Sequence, residues 1–417
     1  MNSFNDWLLH QETKLRRIPP NRRALVILVV GVVLLGSLIT IDQLVVHNYL
    51  EETIGPTSDV PYYRARTLTV LNGGWLYRDI SCESPPLIVY FMLPAQLFGG
   101  QDWIYEVYFS IFTIITALFL YVGLRRWDDY RAFMIAILFL FLPFGTTEST
   151  FGIQDEAIVT FLFMVPLVLA MHHRLRLSAA TIAVGFLTKI FNVFFYPVLF
   201  LNTRSWRERF IQIGIIALAS LVIAAPFLAI TPNEFIAFPS YYFLGGGSGP
   251  TGGISIWDFL ALGGLNIPGG VLLAIVASAF AASLWMVHKK KLGFWEGTLV
   301  VLVALLLVYP RTALVYYTLP VTLLLLWGSQ YVGIAIRCFL MYVPFGACVF
   351  FSKSNALGVP FIDATWGWIA GLLLSVIGSA MMVETTLTAL RKTPFTASNG
   401  TREIEGGSVG ETPVTKA

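Results

Sequence analysis

Charge is what this sequence has least of. Only 12% of its 417 residues are Asp, Glu, Lys or Arg, against roughly a quarter in a soluble globular protein. Hydrophobic residues make up 56%, and the mean hydropathy is +0.73. That balance excludes an ordinary cytosolic enzyme and a disordered regulator. Cysteine is nearly absent: Cys82, Cys338 and Cys348 offer neither a disulfide framework nor metal-ligand spacing. A disulfide-stapled secreted domain is therefore excluded too. With 27 basic and 24 acidic residues the net charge is +3, which implies no nucleic-acid partner. What remains is an all-α polytopic membrane protein.

A helix needs about 20 apolar residues to cross the hydrocarbon layer. The clear blocks are Ala24–Val46, Ile104–Leu124, Ala132–Phe144 with its flanks, Ala157–Met171, Phe210–Ile230 and Val271–Val287. They continue with Gly297–Val308, Leu314–Leu326, Val332–Phe351 and Trp366–Met382. The first block is too long for a signal-peptide core and reads as a retained anchor behind a basic stretch, residues 1–23. Two blocks fit poorly. Pro86–Phe98 is short and bracketed by Pro85 and Gly99–Gly100, and Leu177–Leu201 is interrupted by Lys189. Each allows a span, a hairpin or a surface-lying helix.

Cytoplasmic loops are enriched in Lys and Arg, and that rule selects among the arrangements. If Pro86–Phe98 lies along the interface and Leu177–Leu201 enters and returns, 21 of the 27 basic residues fall on the cytoplasmic side. The same arrangement leaves 14 of the 24 acidic residues outside. The expected architecture is ten full spans plus one hairpin of two short helices, about ten to twelve helices in all, with both termini cytoplasmic. Residues 24–388 form the membrane domain, with outer loops 47–103, 145–155 and 231–270. Residues 389–417, rich in Gly, Ser, Thr and Glu, read as a disordered cytoplasmic tail.

Ionisable groups at membrane depth are functional candidates by default, and here they collect on the outer face. The first outer loop carries Asp59, Arg64, Arg66, Arg78, Asp79 and Glu83. Asp59 stands before the helical pattern that begins Val60-Pro61-Tyr62-Tyr63, so it reads either as a helix cap or as a general base. Asp155 offers the same choice before the next span. Tyr63, Arg64, Arg78 and Asp79 are candidates for acceptor contacts, while Glu51, Glu52 and Glu83 read as solvated loop charges. Lys189, at the tip of a hairpin, suits a phosphate as a point charge, and Arg311 in the turn Tyr309-Pro310-Arg311 suits it equally. Gly245–Pro250 lacks the Lys-Ser/Thr of a phosphate-binding loop and reads as a flexible segment.

Several of these pieces, in their order, resemble the GT-C superfamily of membrane glycosyltransferases, especially its protein O-mannosyltransferase-like branch. Asp59 lies in the first outer loop, and Gly73-Gly74-Trp75-Leu76-Tyr77-Arg78-Asp79 is similar to a "G-x-x-Y-x-D" stretch. Pro85-Pro86-Leu87 through Tyr90 is similar to a "PPL-x-x-Y" helix start, and Gln154-Asp155 and Leu187-Thr188-Lys189 match the second acid and an "LTK" element. The resemblance covers roughly the first 200 residues. It implies a GT-C-like bundle with interfacial helices in the first outer loop. It further implies transfer of a hexose, mannose-type, from a polyprenyl-phosphate donor to a lipid, glycan or protein acceptor on the outer or luminal face. In that scheme Asp59 is the base, Asp155 assists, and Lys189 and Arg311 meet the donor phosphate.

Asp59 has no adjacent acid partner, so a divalent cation (Mg or Mn) held by Asp59 and Asp155 is left open. The membrane implied is the plasma membrane. Two other readings compete: a secondary transporter, which would place its charges near the bilayer midplane, and a lipid-linked glycan ligase.

Overall fold

The computed structural model describes residues 13–50, 58–237, 250–352 and 364–396. The chain is an integral, multi-pass helical bundle. It opens with α1 (Pro20–Ile41), which continues as a π-helical stretch through Asp42–Leu50. Two helices of the first long loop follow, α2 (Val60–Leu71) and α3 (Pro86–Leu97), then α4 (Asp102–Leu124). Next come α5 (Asp129–Phe141), α6 (Pro143–Ser149), α7 (Glu156–Met171), α8 (Leu175–Phe186), a 3-10 turn at Ile190–Phe194, α9 (Tyr196–Asn202) and α10 (Trp206–Ile230). Strand β1 (Gly252–Gly253) and α11 (Ile256–Leu262) precede α12 (Gly269–Lys290) and α13 (Phe294–Val308). Strand β2 (Arg311–Thr312), a 3-10 turn at Leu314–Tyr317, α14 (Thr318–Gly328), α15 (Val332–Leu340), α16 (Tyr342–Val349) and α17 (Ala364–Leu390) complete it.

Among the described residues, six helical stretches are long and apolar enough to cross a membrane: α1 to His47, α4, α10, α12, α15 with α16, and α17. A seventh is the pair α5–α6, bent by 49°. The bend has a local cause, because Pro143 disfavours helical geometry at the residue before it and Leu142 is extended (φ −69°, ψ 114°). The apolar helices α7, α13 and Leu314–Gly328 are shorter. All residues of α14 and most of α13 are buried. Enclosed by neighbours, they need not match the full lipid thickness, and counting all three gives ten crossings.

The segment from Leu175 to Asn202 is a hairpin. Arg176 at its start pairs with Glu208 on α10 at 3.0 Å. Thr203 at its end accepts from Arg209 Nε through its carbonyl at 2.8 Å and from Gln212 Nε2 through its hydroxyl at 3.1 Å. Both feet thus rest on the first turns of α10. Asn192 folds back onto Gly185, where an added Cβ would meet its side chain at 2.3 Å. The tip is Lys189, with extended backbone (φ −157°, ψ 145°). Helix α3 is too short to span at about 1.5 Å per residue; it packs on α2 and donates from Leu87 N–H to the carbonyl of Leu187, beside the tip, at 2.9 Å.

Basic residues gather at the end of the bundle opposite that tip. Arg23 pairs with Asp129, Arg126 donates to the carbonyl of Met171 at 3.0 Å, and Lys291, Arg391 and Lys392 line one hollow. Helix α17 runs to Leu390, so Ala389 and Leu390 are helical, contrary to the expected start of the tail; residues 397–417 lie outside the described residues. Two apolar clusters fill the interior. The larger joins α1, α4, α5, α7, α13 and α14. The smaller, with Val60, Tyr63, Leu76, Ile88, Tyr105 and Phe109, fastens the first loop onto α4.

Candidate active site

Helix α2 presents Asp59, Tyr62, Tyr63 and Arg66 on one face, since residues three, four and seven apart align on a helix. Asp59 occupies the cap position, yet its side chain makes no cap hydrogen bond. Its carboxyl instead opens into a cavity that Gln154 also lines. Burial chiefly, and then the charge of Asp155, raises its pKa above the usual value of 3.8, while Lys189 and Gln154 pull the other way. Tyr63 is fully enclosed, which holds its phenol protonated far into the alkaline range, with Asp155 and Asp59 adding to the effect.

The second loop approaches from the opposite wall. Ile153 has φ +45°, a left-handed conformation that a β-branched residue adopts only under constraint. That kink delivers Gln154 and Asp155 to the cavity. Asp155 also stands at a cap position without capping. Its backbone N–H donates to the Tyr63 hydroxyl at 3.3 Å, and its carboxylate accepts from Lys189 Nζ at 2.8 Å. Glu156, the first residue of α7, accepts from the same ammonium. Lys189 is only 8% exposed, and its Nζ lies 5.8 Å from the centre of the Tyr316 ring. A buried ammonium is tolerable only with such partners.

Arg311 is carried by the two-stranded parallel ribbon in which Gly252 pairs with Arg311 and Gly253 with Thr312. Gly252 N–H donates to the Pro310 carbonyl at 2.9 Å and Ile254 N–H to that of Thr312 at 2.8 Å. Ser255 Oγ and Trp257 Nε1 clasp the carbonyls of Pro310 and Val308 at 2.7 and 2.8 Å. Gly253 cannot be replaced without strain: φ is +69°, and a Cβ would meet the Thr312 carbonyl oxygen at 2.2 Å.

These walls enclose a cavity of about 720 Å³, within the range of ligand sites. Asp59, Tyr63, Asp155, Lys189 and Arg311 line it together, joined by Tyr62, Arg66, Glu83, Glu156 and Tyr316. Glu83 is not a free loop charge. It pairs with Arg66, whose Nε also donates to the Ser81 carbonyl at 3.3 Å. Three other candidates are elsewhere. Arg64 ties α2 to the start of α4 through Asp102 at 2.7 Å and the Gly100 carbonyl at 2.9 Å. Arg78 and Asp79 pair with each other at 2.8 Å, and the bond from Arg78 brings the Asp79 pKa down to about 2. Asp79 also accepts from Trp75 N–H at 2.7 Å, so this pair organises a turn. Glu51 and Glu52 lie outside the described residues.

Sequence reasoning missed Arg66, Glu83 and Glu156. The first was legible from its place two turns beyond Asp59. Glu83 and Glu156 had no such signal, because their partners come from elsewhere in the chain. Among the described residues no three His, Cys, Asp or Glu side chains converge as a metal-ligand group, and Asp155 is already engaged by Lys189.

Three comparisons bear on this geometry. The family model of glycosyltransferase family 87 matches residues 84–319, a stretch that includes Asp155, Lys189 and Arg311. Among solved structures, the crystal structure of ArnT from Cupriavidus metallidurans bound to undecaprenyl phosphate matches with a TM-score of 0.50 and 14% identity. The match covers 87% of this chain and 77% of that one, and at such identity it speaks for the fold. No curated protein gives a significant match.

Proposed function

We propose, from the premise that this chain belongs to glycosyltransferase family 87 and is a GT-C membrane glycosyltransferase, that it moves a hexose, mannose-type, from a polyprenyl phosphate to a hydroxyl acceptor. The observation that carries the reading is the meeting of an uncapping carboxylate, Asp59, with Lys189 and Arg311 in one cavity. The acceptor hydroxyl attacks the anomeric carbon while Asp59 takes its proton. The bond from that carbon to the phosphate oxygen breaks, and the electron pair leaves on the polyprenyl phosphate. A base with a raised pKa is better matched to that proton. Arg311 meets the leaving phosphate bidentately. Lys189 adds its charge from the floor, oriented by Asp155 and Glu156. The bound state of the ArnT crystal structure supports a polyprenyl-phosphate donor here by analogy of fold.

The acceptor is a lipid, glycan or protein that reaches the outer or luminal face of the plasma membrane. The positive-inside rule supports that side, because the basic clusters lie at the far end. The membrane domain runs from α1, which begins at Pro20, to the end of α17 at Leu390. Purified protein in lipid, offered a panel of polyprenyl-phosphate hexoses, should release polyprenyl phosphate from the mannose donor. Turnover only with nucleotide sugars would reject the donor class.

A further inference from the structure

Helices α12 and α17, each long enough to cross the membrane, end at one hollow of about 260 Å³ on the basic side of the bundle. Lys291 closes α12 in the left-handed region, at φ +50°, and Leu292 N–H returns to the Val287 carbonyl at 3.1 Å. That closure usually falls to glycine, so a lysine held there brings a side chain to the hollow in spite of the strain. Arg391 and Lys392 reach the hollow from the end of α17. Their segment is fastened in place. Trp327 Nε1 donates to the Lys392 carbonyl at 2.9 Å, the Lys392 ammonium lies 4.1 Å from the centre of the Tyr331 ring, and Phe395 is buried. Several arginines at this end are matched by carboxylates: Arg23 by Asp129, Arg131 by Asp128 and Arg176 by Glu208. Among the described residues, Lys291, Arg391 and Lys392 have no ion-pair partner. One carboxylate shares their hollow, that of Glu296, which lies against Gly293: an added Cβ there would stand 2.7 Å from its Oε2. Three cations against one carboxylate leave a positive surplus.

A basic hollow where membrane helices end lies at the depth of lipid headgroups and attracts anionic ones. Leu292 and Leu390 line it beside the cations. A soluble anion would use the charges alone, whereas a phospholipid uses the charges and the apolar surface together. We propose that this hollow binds the phosphate headgroup of an anionic glycerophospholipid from the leaflet at this end, and that the lipid ties the ends of α12 and α17 together. Arg391 offers the phosphate a planar fork of donors, and Lys291 and Lys392 act as point charges. The main cavity lies at the opposite end of the bundle, so the inference is independent of the transfer reaction.

The test titrates phosphatidylglycerol into the purified full-length chain in an uncharged detergent. Binding to the folded state should raise the melting temperature by about 3 °C or more, and phosphatidylcholine should not. The triple variant Lys291→Gln, Arg391→Gln, Lys392→Gln should lose that rise. A charge-matched triple, Arg204→Gln, Arg207→Gln, Lys290→Gln, removes exposed cations outside the hollow and should keep it. An equal rise in both triples, or with phosphatidylcholine, overturns the proposal. The same rise from glycerol 3-phosphate at equal concentration overturns the lipid as occupant in favour of a soluble anion. A rise absent from wild type but present in Glu403→Gln, Glu405→Gln overturns it in favour of the chain's own carboxylates. Should the first triple not fold, native mass spectrometry of wild type decides: one phosphatidylglycerol retained in preference to phosphatidylcholine is expected, and no preference overturns the site.

Discussion

Asp59 and Asp128 both stand immediately before a helix, and the two are put to different uses. Asp128, at the basic end of the bundle, accepts from Arg131 N–H at 3.0 Å and caps α5. Asp59, at the cavity end, leaves its helix uncapped and turns its carboxyl to the cavity. Asp155 repeats the pattern of Asp59. Forgoing a cap costs about 1 kcal/mol, and two uncapped aspartates at one cavity are what the proposed chemistry there calls for. The ion pairs divide in the same way. Arg176 and Glu208 meet at the surface, with the arginine side chain 62% exposed, whereas Lys189 is buried between two carboxylates.

The comparison can be broken by substitution at either end. The largest effect is expected at Asp59: Asp59→Asn keeps the shape and should cut the transfer rate by about 100- to 10,000-fold, with the melting temperature unchanged. Next comes Lys189→Met, which strands Asp155 and Glu156; a loss of about 3–5 kcal/mol in stability should show as failure to purify in folded form. Its counterpart Arg176→Met removes an exposed pair and should cost at most about 1 kcal/mol. Gly253→Ala pushes against Thr312 and displaces Arg311, so kcat should fall by up to about a hundredfold in a protein that still folds. The smallest effect is Asp128→Ala, about 1 kcal/mol from the lost cap, read as a lower melting temperature with normal transfer.

How far each part could be read from the sequence follows from the range of its causes. Span positions and the hairpin came from runs of apolar residues and from the sidedness of charge, both local properties. Asp59, Asp155, Lys189 and Arg311, which line one cavity, could be singled out because each interrupts or borders such a run. The bend at Leu142–Pro143 was foreshadowed by the proline, but its angle depends on packing. Arg64 and Arg78 were misread for a different reason. Their partners, Asp102 and Asp79, decide where they point, and one partner lies across a loop closed only by tertiary contacts. Glu83 was dismissed as a loop charge because Arg66 had not been placed beside it.

The central claim is that Asp59 accepts the proton, and the pH dependence of kcat/KM for the free enzyme tests it most directly. A base must be deprotonated, so the rate should fall as the pH drops through the Asp59 pKa. Burial and Asp155 raise that pKa, so the acid limb should lie above 3.8 and should vanish from the residual activity of Asp59→Asn. An acid limb that persists unchanged in Asp59→Asn would contradict the account and move the base elsewhere in the cavity.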